Sequence, residues 1–153
     1  MQAIIGTVGF VAATSIINSI TSVSSSIYSL ISHIQLSKNN NQNEILQMLN
    51  RTDIETTIKL LHTIIIEIPE YYNTKSSVIT VLQNLQEIIE LIENEIKEIH
   101  HKILYNSTFY FFSSWRSYDC KHNLDSIEIK IKIFDKRCDN LFKILKMFKN
   151  TLT

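Results

Sequence analysis

The chain predicts an all-α fold, an up-down-up-down four-helix bundle, and three observations carry that expectation. Among 153 residues there are only two Gly and one Pro, too few turn-formers for an all-β fold. Four segments repeat apolar residues at alternating steps of three and four, the period of an amphipathic helix. Charge is partitioned by segment: Met1 to Ser37 contain no Lys, Arg, Asp or Glu, whereas every later stretch of comparable length is charged. A chain of this length suits one domain, 1–153, around a single core.

The first helix is expected over about residues 3–36. Ile16, Ile20, Val23, Ile27, Leu30 and Ile34 form its seam, and Ser15, Ser19, Ser22, Ser26 and Ser29 form a small hydroxyl face opposite. Upstream, Ala3 to Ala13 is apolar all round. A polar run from Lys38 to Asn43 leads to a second helix over about 44–68, with a bend near Asn50. Thr52 and Glu55 have the spacing of a capping box, and Ile54, Ile58, Leu61, Ile65 and Ile68 face inward. Pro69 ends this helix.

The third helix is expected over about 76–104, with Ser76 or Ser77 as N-cap. Val78, Leu82, Leu85, Ile89, Ile92, Ile96, Ile99 and Ile103 make its inner seam. The fourth, over about 123–150, has the most regular heptad: Leu124, Ile127, Ile131, Phe134, Cys138, Leu141, Leu145 and Phe148. At 1.5 Å per residue the last two helices span roughly 40 Å each and the first about 50 Å, so the excess falls on the apolar Ala3 to Ala13. Tyr71, Tyr72, Phe148 and Leu152 are placed to cover its start.

Net charge is zero, so no global field recruits nucleic acid and none is expected as a partner. The local balance is uneven. Residues 76–105 carry two Lys against five Glu, and residues 106–153 carry nine basic against five acidic side chains. One reading makes the third and fourth helices neighbours whose flanking charges pair. The other places Lys130, Lys132, Lys136, Arg137, Lys143, Lys146 and Lys149 against anionic membrane lipid.

The segment from Tyr105 to Tyr118 holds seven of the fourteen aromatic side chains, an aromatic-rich loop before the last helix. It reads either as a loop folded over the bundle end or as a contact surface centred on Phe111, Phe112 and Trp115. His100-His101 and Cys120-Lys121-His122 lack a chelating spacing, so no metal is expected. No phosphate loop, nucleophile elbow or catalytic triad pattern is present, and neither an enzyme nor a cofactor is expected. Two cysteines make no disulfide framework, which suits a reducing compartment. Met1 and Gln2 give the apolar run no basic n-region, so a cleaved signal is not expected. Heavy use of Ile, Asn and Lys reflects an AT-rich genome, as in a large DNA virus, a parasite or an amoeba.

The opening Ile4-Ile5-Gly6-Thr7-Val8-Gly9-Phe10-Val11-Ala12-Ala13, followed by the Ser/Thr-punctuated Ile16 to Ile34 and three charged amphipathic helices, resembles the HeLo-type helical domains of fungal cell-death proteins. The killer bundle of the mixed-lineage-kinase-like pseudokinase and the N-terminal helical domains of some plant resistance proteins are similar in plan. The resemblance implies a four-helix bundle that engages membranes after self-association, through its apolar N-terminus or a basic surface. The expected contact residues are Ile4, Ile5, Val8, Phe10 and Val11, the aromatic loop, and Lys143, Lys146 and Lys149. The expected setting is intracellular, in the cytoplasm or at the cytosolic face of a membrane. The alternative is a soluble, non-enzymatic interaction or scaffold protein, viral types included, in which the first helix is simply core.

Overall fold

The computed structural model describes residues 2–37, 43–108 and 119–151, with side chains for 11–37, 43–108 and 119–150. Every element among these is helical: α1 Gln2–Leu36, α2 Asn43–Thr52, α3 Ile54–Glu67, a 3-10 turn Tyr72–Thr74, α4 Ser76–Ser107 and α5 Lys121–Thr151. With α2 and α3 as the halves of one broken helix, the chain has the four helical segments that its periodicity predicts.

The inner seams of α3 and α4 are buried throughout, and so is that of α5 from Leu124 to Leu141, with Leu145 and Phe148 half-buried. On α1, Ile16, Ile20, Ile27 and Ile34 are buried, but Val23 and Leu30 are only partly so. Ala13, Ser24 and Ile31 complete its buried line instead. The small Ser24 side chain fits there because its hydroxyl donates to the Ile20 carbonyl oxygen at 2.7 Å, which satisfies it within its own helix. One apolar cluster runs through all five helices.

α4 is the hub, with α1 and α5 packed against it. Ser19 lies beside Gln86, and His33 beside His100, so α1 and α4 advance in the same direction. Asn123 lies beside Glu98, and Arg137 beside Glu87, so α5 runs the opposite way. The broken helix closes the far side. α2 packs on α5, where Arg51 pairs with Glu128, and α3 packs on α1, where the Tyr28 hydroxyl reaches the Glu55 carbonyl oxygen at 3.5 Å.

The break falls at Asp53, not at Asn50, and the capping box does not form. Thr52 turns its hydroxyl back onto the Met48 and Leu49 carbonyl oxygens, at 2.9 and 3.3 Å, and so closes α2 instead of opening α3. Asp53 takes φ 45°, ψ 35°, the left-handed region that Asp and Asn tolerate best after Gly, and makes no side-chain cap. Its carbonyl oxygen accepts from the Thr57 amide and hydroxyl, both at 3.1 Å. A single reversed residue thus redirects the helix from α5 to α1.

Two further boundaries differ from expectation. α4 begins with Ser76 already helical and Lys75 as an extended N-cap without a side-chain bond, so neither Ser76 nor Ser77 caps it. Lys75 instead donates to the Tyr71 hydroxyl at 3.0 Å and sits 4.4 Å from that ring's centroid. α4 also continues past Leu104, taking Tyr105 into its last turns. As a result α1, α4 and α5 have 35, 32 and 31 residues, and α1 is scarcely longer than its neighbours. Ser19 beside Gln86 and His33 beside His100 have the same offset, which sets Ser76 level with Gly9. Only about two turns of α1 therefore extend beyond the start of α4, not the whole of Ala3 to Ala13.

Candidate functional site

The cations of α5 fall into two groups. Lys130 and Arg137 face α4, where Lys130 pairs with Glu95, and Arg137 with Glu87 at 3.0 Å and with the Asn84 carbonyl oxygen. Around Glu95 the contact becomes a network. Asn123 is buried and its amide nitrogen donates to Glu95 and Glu98, each at 2.8 Å, while its amide oxygen accepts from Lys102 at 2.6 Å. Ser126 donates to Glu95 at 2.7 Å. Burial pushes the Glu95 carboxyl up, but the bonds from Lys130, Ser126 and Asn123 outweigh it and hold the group below its ordinary value.

Lys132, Lys136, Lys143, Lys146 and Lys149 are exposed and make no ion pair among the described residues. The expected trio Lys143, Lys146 and Lys149 does not share a face, because steps of three on a 3.6-residue helix drift by about 60° each. Lys149 turns toward the bundle end and lines a hollow of about 420 Å³ with Ile64, Ile68, Pro69, Tyr72 and Leu145. Tyr72 stacks on Phe148 there, with ring centroids 5.4 Å apart. Leu152, expected to help cover this end, lies outside the described residues.

Among these lysines, four large apolar side chains are exposed, Phe142 and Met147 together with Ile129, 60% exposed, and Ile133, 39% exposed. Sequence reasoning missed them, although Ile129, Ile133, Lys136, Asn140 and Lys143 repeat the four-three step on the side opposite the inner heptad. α5 is therefore apolar on two faces.

Val11 is exposed. The side chains of Ile4, Ile5, Val8 and Phe10, although these positions are helical, and all of Phe111, Phe112 and Trp115 lie outside the described residues. The outer side of α1 is exposed at Val11, Ser15, Asn18, Ser22, Ser25, Ser29 and Ser32, with no charge along it. Among the described residues no helix is long and apolar enough to cross a membrane.

The titratable groups most open to chemistry are held in unreactive forms. Burial, with Asp135 and Asp139 close by, pushes the Cys138 thiol up to about 12, and burial raises Cys120 as well, so both remain protonated at neutral pH. His33 and His100 meet across α1 and α4 with ring centroids 5.6 Å apart. Burial, then His33 and His101, lowers the His100 pKa. No three His, Cys, Asp or Glu side chains converge as metal ligands among the described residues.

The chain is similar to an uncharacterised protein of Acanthamoeba polyphaga mimivirus, 38% identical over 71 residues that make up 46% of this chain. It spans about a third of that relative's length, 34%. No family of known sequences and no solved structure matches it.

Proposed function

We propose that the protein is a non-enzymatic, up-down-up-down helical bundle that associates with the anionic surface of a membrane without spanning it. The observation that carries this reading is the division of α5's cations. Two are consumed by α4, and six, Lys121 and the five named above, are left exposed without a carboxylate partner among the described residues. Each basic residue held near an anionic leaflet adds attraction, so a helix that keeps six exposed, unpaired lysines is suited to such a surface. The resemblance to HeLo-type domains points the same way, with a setting at the cytosolic face. The likeness to a mimivirus protein fits the heavy use of Ile, Asn and Lys, which a large DNA virus with an AT-rich genome would show.

Sedimentation with phosphatidylcholine vesicles containing increasing phosphatidylserine tests the proposal. The protein should pellet with anionic vesicles at low salt and be released as salt rises. Failure to pellet at any phosphatidylserine content would remove it.

A second reading, self-association or scaffolding, is favoured by the charge-free outer side of α1, because small hydroxyl side chains let another helix approach closely. Light scattering on the eluting protein separates the two. A stable oligomer that ignores vesicles supports the scaffold.

A further inference from the structure

Three of the free lysines, Lys132, Lys136 and Lys143, and the exposed Ile129 and Ile133 occupy one side of α5, and we infer that this sector lies flat on the anionic lipid surface, so that the bundle docks sideways along α5 and not end-on through the start of α1. The inference rests on the membrane reading above and names its contact face.

The geometry is that of an interfacial helix. With 3.6 residues per turn, Ile129 and Ile133 lie opposite the buried Ile127, Ile131 and Phe134, Lys136 and Lys143 fall within about 60° of the line between them, and Lys132 lies at its edge, about 80° away. From Ile129 to Ile144 that sector holds no carboxylate; Asp135 and Asp139 project from its flank. A strip about 20 Å long thus presents two apolar side chains between three cations. The cations are all lysines, compact charges on flexible stems that suit a diffuse layer of headgroups, whereas the helix's one arginine, the better bidentate partner for a protein carboxylate, is turned inward to Glu87. The strip also carries no aromatic anchor of the kind that dominates protein interfaces. These features favour lipid over an acidic protein.

End-on docking is disfavoured by the fold. Only about two turns of α1 extend beyond α4, and the 3-10 turn Tyr72–Thr74 packs against α1.

The test compares two variants with the same loss of charge. Lys132→Gln/Lys136→Gln removes two cations from the strip, and Lys146→Gln/Lys149→Gln removes two from outside it. With vesicles of phosphatidylcholine and phosphatidylserine at low salt, the first should bind about thirtyfold more weakly, at about fivefold per lysine, and the second within about threefold of the parent protein. Ile129→Ser/Ile133→Ser should lose about tenfold at a salt concentration where the charge contribution is screened. All the substituted side chains are exposed, and unchanged thermal unfolding by circular dichroism confirms that each variant folds.

Equal losses in the two lysine variants would overturn the face and leave unspecific charge attraction. Parent-like binding by the strip variants would also overturn it while sparing the membrane reading. Absence of binding by the parent protein would remove both. Concentration-dependent dimerisation abolished by Ile129→Ser/Ile133→Ser would overturn it in favour of a second copy.

Discussion

α1 and α5 flank the same helix, yet they hold it by different means. α1 contains no Lys, Arg, Asp or Glu and meets α4 through isoleucines and a short polar relay, in which Gln86 donates to Ser19 at 3.1 Å and to Glu90 at 2.8 Å. α5 meets α4 through a regular heptad and a network in which Asn123 and Lys130 converge on Glu95. The contrast separates adhesion from register. An apolar seam supplies most of the burial but tolerates sliding by a turn, whereas a buried amide bonded to three charged groups fits only one alignment. Helix α4 is therefore fixed in register by α5 and padded by α1.

The contrast breaks most visibly in the shared core. Leu85→Ala, Ile92→Ala, Ile131→Ala, Phe134→Ala and Leu141→Ala should each cost about 2 to 5 kcal/mol in chemical unfolding, because all five side chains are buried where the helices meet. Lys132→Ala should cost far less. Similar losses in both sets would mean that the bundle does not pack as described.

The next largest effect sharpens the asymmetry. Asn123→Ala strips partners from Glu95, Glu98 and Lys102 and should cost about 1 to 3 kcal/mol. Gln86→Ala, which removes the α1 relay from partly exposed groups, should cost about 1 kcal/mol or less. Equal costs for the two would show that α4 is tied as specifically to α1 as to α5.

Most of this fold was legible because isoleucine and leucine at heptad spacing leave little freedom about which side faces in. The features that escaped are those in which one residue type serves two ends. Thr52 with Glu55 reads as a helix start, but a threonine hydroxyl can equally satisfy the carbonyl oxygens behind it, and here it closes α2. Asn123 at the start of a helix reads as a boundary residue, although its amide is the centre of the α4 and α5 contact. Ile129 and Ile133 were lost behind the stronger inner heptad of the same helix. Composition could count the basic residues of α5 but not divide them, because whether Lys130 or Lys132 is neutralised depends on where α4 lies.

Acid should discriminate the two interfaces by pH range. His100, at the α1 side, has a folded pKa below its ordinary 6.5, so the unfolded chain binds more protons just below that value. Stability should therefore fall as pH drops from 6.5 toward the depressed value, and His100→Gln should flatten that slope. Glu95, at the α5 side, has a folded pKa below 4.5; its contribution is complete above 4.5 and is lost only as pH falls through the lower value. Glu95→Gln should flatten the acid limb alone. Denaturant midpoints measured across this range check both, and a slope above pH 5 that vanishes with Glu95→Gln but survives His100→Gln would reverse the assignment.

The smallest effect belongs to the outermost pairs. Arg137 reaches Glu87 at 3.0 Å, but the Glu87 side chain is 62% exposed, and Arg51 is 69% exposed beside Glu128. Water screens such charges and the side chains lose freedom in pairing, so Glu87→Gln and Arg51→Gln should each change stability by less than about 1 kcal/mol, and less at high salt. Lys130→Gln, which touches the enclosed Glu95, should cost more than either and respond less to salt. Unfolding measured at low and high ionic strength checks the ranking. Salt-independent losses of similar size at all three positions would indicate that the α5 network gains nothing from enclosure, and its role in setting register would then rest on Asn123 alone.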